Sequence, residues 1–359
     1  MQFEDRVRVV AEFGFTDRQA RFLVTVMLHS GVCLLRQYAT FAGIVEGHTT
    51  RRFFAKLVRL RYASAYRCRH NRGRVYQIHH KALYRAIGQT DSRHRRPLSP
   101  ARVVERLMLL DALLADRDLV WLATDEEKAA HISALAPFPN EGLGIASLDK
   151  SVSRFSEKFP IGIGLNGRVV LLYLASDGEI RPFRVFVQRH FELLRSLPGW
   201  TFRVVVPSGR EGRGELYVKT AEDELTNTLP PDLVRVLRWY FTERRKLATE
   251  GYETPDQEAL DYAEEAFKMP RYELLYRRWL ADGDRVFALV SDSLKATIGS
   301  GAGKIEYVVL PRDYRLVCPL VGSTVRRSKG AEKGEETLAA PRPLPSVAAI
   351  DSSHVSASG

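Results

Sequence analysis

Apolar positions recur every three or four residues through the opening segments of the chain, the spacing of an amphipathic helix. Phe3, Val7, Val10 and Ala11 mark a first helix over 3–13. A second begins at "TDRQ", where Thr16 and Gln19 have capping-box spacing, runs along Phe22, Leu23, Val26 and Met27, and stops at Gly31. "VCLLRQYATFAG" (32–43) predicts a brief extended entry and a short helix ended by Gly43. In "GHTTRRFFAKLVRLR" (47–61), at roughly 100° per residue, Phe53, Phe54, Leu57, Val58 and Leu60 share one arc. Arg51, Arg52, Ala55, Lys56 and Arg59 share the other, and Thr49 or Thr50 is positioned to cap the start. The period then changes from helical to alternating. "ASAYRCR" (63–69) and "RVYQIHH" (74–80), around "HNRG", predict a β-hairpin.

Farther along, "KALYRAIG" predicts a short closing helix, and the polar, basic "QTDSRHRRPLSP" (89–100) a linker. Residues 101–116 carry a stripe of Val104, Leu107, Leu110, Leu113 and Leu114, which fits core packing or, alternatively, a homodimer contact. Strands at 119–123, 159–165, 168–175 and 200–207, with a turn at Asn166-Gly167 and helices at 125–135 and 183–197, predict an α/β domain. Helices follow at 229–248, 255–269 and 271–283, and the strands 304–311 and 314–320 are expected to pair. After Val321 the chain is poor in aromatics and rich in Ser, Ala, Pro and charge, which predicts a disordered tail. The expected fold class is therefore a multidomain α+β protein. Its parts are residues 1–88, a basic linker and helix (89–116), an α/β domain (117–222), a mainly helical domain (223–321) and the tail (322–359).

Charge sharpens this picture because it is unevenly placed. Residues 1–100 hold 19 Lys and Arg against 6 Asp and Glu, whereas the remaining 259 hold 35 against 37. A basic block of this kind points to a polyanionic partner. The apolar runs are too short for a membrane span, and "MQFEDRVR" is unlike a signal peptide, so a cytoplasmic protein is expected. Cys33, Cys68 and Cys318 are widely spaced and read as reduced packing residues, with neither a zinc site nor a disulfide frame.

The order of helices, basic helix and hairpin over residues 14–80 resembles a winged helix-turn-helix domain. That resemblance implies that helix 49–61 enters the major groove of double-stranded DNA and that the hairpin, the wing, grips the backbone beside it. The expected contacts are Thr49, Thr50, Arg51, Arg52, Lys56 and Arg59 on the helix, with Arg51 and Arg52 directed at base edges. On the wing they are Arg67, Arg69, His70, Asn71, Arg72 and Arg74. A protein-docking winged helix is the non-nucleic-acid alternative.

The central hairpin, helix and strand resemble the core of restriction-endonuclease-like nucleases, in which strand-borne carboxylates and a lysine gather a metal ion. The matching positions here hold Ile161, Leu172, Tyr173 and Leu174, which implies a degenerate, non-catalytic domain with no metal or other cofactor. Asp177, Glu179, Glu215 and Lys219 are the residues a displaced nuclease site would have to recruit. "GSGAGKIEY" (299–307) lacks the leading glycine and the Ser or Thr after Lys304 that a phosphate loop needs. Adjacent His79 and His80 are expected on opposite faces of a strand, where they cannot share a metal. A winged helix joined to a degenerate nuclease-like domain resembles the replication-relaxation family of bacterial mobile elements. This implies a role in transcriptional control, or in replication, maintenance or transfer of such an element, with replication or transfer proteins as further partners.

Overall fold

The computed structural model describes residues 1–68, 73–116, 118–135, 159–176, 178–226, 229–251, 256–268, 270–287, 294–314 and 317. The protein is a mixed α+β fold with two sheets. Helices α1 (Phe3–Ala11), α2 (Asp17–His29), α3 (Leu35–Ala42) and α4 (His48–Arg59) precede the hairpin β2 (Ala63–Arg67) and β3 (Arg74–Ile78). A two-residue strand β1 (Val32–Cys33) between α2 and α3 pairs antiparallel with β3, giving the sheet order β1-β3-β2. The Thr16 capping box forms in full: the Thr16 hydroxyl accepts from the Gln19 amide, and the Gln19 side chain accepts from the Thr16 amide.

Gly31 ends α2 at φ 71°, a left-handed conformation that glycine adopts without steric cost. A Cβ at Gly31 would lie 2.4 Å from the His94 carbonyl oxygen, so only glycine lets the 93–95 turn press against the end of α2. The segment expected as a loose linker is in fact bound to the body. His94 is buried, Gln77 donates to the Arg96 carbonyl at 2.7 Å, and Arg95 donates to the carbonyls of His79 and Thr90. His79 and His80 lie beyond the end of β3, not on it. His79 Nε2 meets the Ser64 hydroxyl at 3.0 Å, and His80 packs on Tyr62.

After α5 (Lys81–Ala86), helix α6 (Pro100–Ala115) runs between the two sheets. Its buried residues, among them Val103, Leu107, Met108, Leu110 and Leu113, extend nearly round the helix. Leu110 belongs to the core of α1–α4. Leu107 and Met108 pack with Val32, Leu34 and Val75 on one side, and with Leu172, Val205 and Leu310 of the second sheet on the other. A helix used on this many sides fits the core-packing reading of the stripe over the alternative of a homodimer contact. Polar ties reinforce it. Gln37 donates to the Leu107 carbonyl at 2.9 Å, and Arg36 grips Asp111 through two bonds of 2.8 and 2.6 Å, while the Tyr314 hydroxyl also donates to Asp111.

The second sheet has the order β4-β5-β6-β7-β8, formed by Val120–Leu122, Ile161–Ile163, Val169–Leu174, Trp200–Pro207 and Gly303–Leu310. The first three strands are antiparallel; β7 and β8 continue the sheet in parallel. Alternation along β7 sends Trp200, Phe202, Val204 and Val206 toward the core shared with α8 (Ile180–Ser196) and α9 (Gly214–Thr226), and Val205 toward α6. Helix α7 (Asp125–Leu135) adds Ile132 to the α8 side. Residues 303–310 run parallel to β7; of 314–320, expected to pair with them, residues 315, 316 and 318–320 lie outside the described residues. Between β7 and β8 the chain forms α10 (Pro231–Glu250), α11 (Gln257–Ala266) and α12 (Pro270–Asp282), which share their own aromatic core around Phe241, and then the short α13 (Lys295–Gly299). No helix among the described residues is long and apolar enough to cross a membrane. The tail, residues 322–359, lies outside the described residues, as does Cys318; Cys33 and Cys68 are buried.

Candidate nucleic-acid interface

Aromatic contacts hold α4 in place. Phe53 packs on Tyr38 at 4.6 Å between ring centroids and edge-on to Phe15 at 6.1 Å, and Phe54 meets Tyr76 of β3 at 4.4 Å. Thr50, Phe53, Phe54 and Leu57 are all buried, the spacing of one helical face. The opposite face carries Arg51, Arg52, Ala55, Val58 and Arg59, all exposed.

Three sequence expectations change here. The helix starts at His48 with Gly47 as its N-cap and no side-chain cap bond, so neither Thr49 nor Thr50 caps it. Thr50 faces inward beside Phe53 and Phe54, where its hydroxyl is buried without a partner among the described residues; it is not a surface contact, whereas Thr49 is exposed. Val58 and Leu60, assigned to the inner arc, are 40% and 38% exposed, because the anchoring arc is only the Thr50–Leu57 stripe. Lys56 is drawn aside: its ammonium sits 4.9 Å from the Phe15 ring centroid and donates to the Gly14 carbonyl, so it is committed within the protein.

The end of α4 is a Schellman motif, with the Tyr62 amide bonded to the Leu57 carbonyl and the Arg61 amide to the Val58 carbonyl. Its left-handed residue is Arg61, at φ 57°, where glycine is usual. Because a non-glycine residue loses roughly 1–2 kcal/mol in this conformation, Arg61→Gly is expected to raise unfolding stability by about 1 kcal/mol in urea titration. A loss of stability would show that the Arg61 side chain contributes more than its backbone costs.

On the hairpin, Arg67 stands directly across the ladder from Arg74, and both are exposed. Like charges in this position are destabilising by themselves. Arg69, His70, Asn71 and Arg72 lie outside the described residues. The structure thus brings Arg51, Arg52 and Arg59 onto one exposed stripe of α4, with Arg67 and Arg74 on the hairpin packed beside that helix through Phe54 and Tyr76. None of these five arginines makes an ion pair among the described residues. Arg6, Arg21, Arg36, Arg203 and Arg244 are all paired, the last four at 2.5–2.7 Å and Arg6 at 3.2 Å.

Around the nuclease-like positions, Ile161 and Leu172 are buried and the strands present no carboxylate. Glu215 and Lys219 lie exposed on helix α9, Glu179 precedes α8, and Asp177 is outside the described residues. No group of three or more His, Cys, Asp or Glu side chains gathers among the described residues in a way that could hold a metal ion. Lys304 begins β8 and pairs with Glu306 at 2.6 Å, in a strand where a phosphate loop would need a helix. Compared with known protein families, characterised proteins and solved structures, the chain finds no match.

Proposed function

We propose that residues 14–80 form a winged helix-turn-helix that reads double-stranded DNA, with α4 in the major groove and the β2–β3 hairpin as the wing. The observation that carries this reading is the unpaired arginine stripe, Arg51, Arg52 and Arg59, on a helix whose other side is fully engaged in the core. A cationic face with no acid paired to it among the described residues fits a polyanion as its counter-charge. The sheet order β1-β3-β2 supports the same assignment, since it places the hairpin against the end of the helical triad. Arg51 and Arg52 suit guanine edges, Ala55 and Val58 suit thymine methyl groups, and Arg59, Arg67 and Arg74 suit phosphates.

The antiparallel β4-β5-β6 meander followed by α8 and parallel β7 supports the degenerate nuclease-like reading of the second sheet. With apolar side chains at the positions that would carry acids, its role in this proposal is scaffolding, not cleavage. The protein would act in transcriptional control or in replication, maintenance or transfer of a mobile element, in the manner of the replication-relaxation family.

Salt dependence tests the core of the proposal. With about five phosphates neutralised, by Arg59, Arg67, Arg74 and the wing residues Arg69 and Arg72, duplex affinity should fall about 500-fold between about 50 and 200 mM salt. Salt-insensitive duplex binding would instead favour the hairpin and α4 as a protein dock, and DNA cleavage in Mg²⁺ or Mn²⁺ would restore the nuclease reading.

A further inference from the structure

A second group of cations, none of them on α4 or the hairpin, gathers where α2, the 93–95 turn, α6, β4 and α7 meet. A cavity of about 70 Å³ there is lined by His29, Arg93, His94, Arg102, Arg106 and Lys128, and its one lining acid among the described residues is Glu105. Glu105 is already neutralised by Arg102 at 2.6 Å. The acids of α7 are spent in other ways: Glu127 pairs with Arg6 at 3.2 Å and accepts from the Ala123 amide, and Asp125 stands 3.8 Å from Lys128. Arg106 makes no ion pair among the described residues and donates to the His29 carbonyl at 3.1 Å. His94, only 8% exposed and held by the close approach of Gly31, has its Nδ1 buried with no partner among the described residues.

The titration behaviour agrees with a site short of negative charge. Burial, with Arg106 and other cations adding to it, holds His94 well below its ordinary value, and burial likewise lowers His29. Burial brings Arg106 down to about 10 and Lys128 to about 8, in the latter case with Arg93 and Arg106 acting with it and Asp125 and Glu127 against it. An anion in the cavity would oppose these shifts by its charge.

We infer that this cavity binds a small phosphate-class anion, with Arg106 and His94 Nδ1 as its donors, Arg93 at its rim, and Lys128, already bonded to the Phe159 carbonyl at 3.1 Å, adding charge from α7. Its volume of about 70 Å³ is enough for a tetrahedral oxyanion. The ligand is therefore inorganic phosphate or the terminal phosphate of a larger molecule. Bound there, it cross-links α2 and the 93–95 turn to α6 and α7. The site shares no residue with the duplex-reading face and does not depend on that assignment.

Calorimetry on the full-length protein at constant ionic strength tests the inference. Inorganic phosphate should bind one to one, and about 10 mM should raise the Tm by several degrees. Arg106→Gln should weaken binding at least about tenfold, and Arg93→Ala, a change at an exposed position, several-fold. Arg51→Ala with Arg52→Ala should leave the phosphate response intact, which separates this site from the DNA-reading face. Affinity should also fall as pH rises past about 8, where Lys128 loses its proton among Asp125, Glu127, Arg93, His94, Arg106, His29 and Arg6. A nucleoside triphosphate binding more tightly than phosphate would identify a larger ligand; equal binding would identify the free ion. Absence of both heat and Tm shift overturns the inference. So does unchanged binding in folded Arg93→Ala, which decides the matter if Arg106→Gln does not fold.

Discussion

Replacing Arg51 and Arg52 together by alanine is expected to weaken binding to a preferred duplex about 100-fold while weakening random duplex only about tenfold. The asymmetry follows from geometry. Both guanidinium groups leave α4 in its first turn, on the face opposite Thr50, Phe53 and Phe54, and a bidentate arginine–guanine contact carries about 1–3 kcal/mol of discrimination. Loss of a phosphate contact, by contrast, is felt equally on every sequence. Because both side chains are exposed and unpaired among the described residues, the double variant should unfold within about 0.5 kcal/mol of the parent. Fluorescence anisotropy at one fixed salt concentration, on a site selected from a random library and on scrambled duplex, measures the difference. Equal losses on both duplexes would confine these arginines to the backbone, and no loss on either would remove α4 from the interface.

The largest effect on stability is expected from Leu110→Ala, about 3 kcal/mol in urea denaturation. Leu110 is fully buried and contributes to the core of α1–α4 from a helix whose adjacent residues Leu107 and Met108 fill the space beneath the second sheet. Neither side can close around the resulting void without shifting α6, which is also fixed by Arg36 at Asp111 and by Gln37 at the Leu107 carbonyl. Leu114, half-buried near the end of the same helix, should cost less than half as much when truncated. A loss under about 1 kcal/mol at Leu110 would mean that α6 is not a shared element of the two cores.

Much of the N-terminal half could be read locally. The Thr16–Gln19 capping box, the left-handed glycines after α2 and α3, and the change from helical to alternating period at residue 63 each depend on neighbours within a few residues. The reading erred by a single turn at α4. Gly47 could not be distinguished from Thr49 or Thr50 as the cap by pattern alone. The remaining surprises are long-range. β8 pairs with β7 across about a hundred residues, Arg67 faces Arg74 only once the register is set, and the cavity residues come from positions as far apart as 29, 94, 106 and 128. Periodicity reports which side of an element is covered, but not what covers it. For the cavity, the one local hint was Gly31, whose need for a close neighbour could be inferred but whose neighbour, His94, could not.

The fastening of α3 to Asp111 governs how this protein can be dissected. Cutting the chain near residue 88 would sever the proposed DNA reader from α6 and bare Val32, Leu34 and Val75, which α6 now shields. It would also strand Arg36 without its carboxylate. A fragment meant to represent the reader alone would present a greasy flank to water and tend to self-associate, so the smallest faithful piece includes the whole of α6 and the surface on which that helix rests.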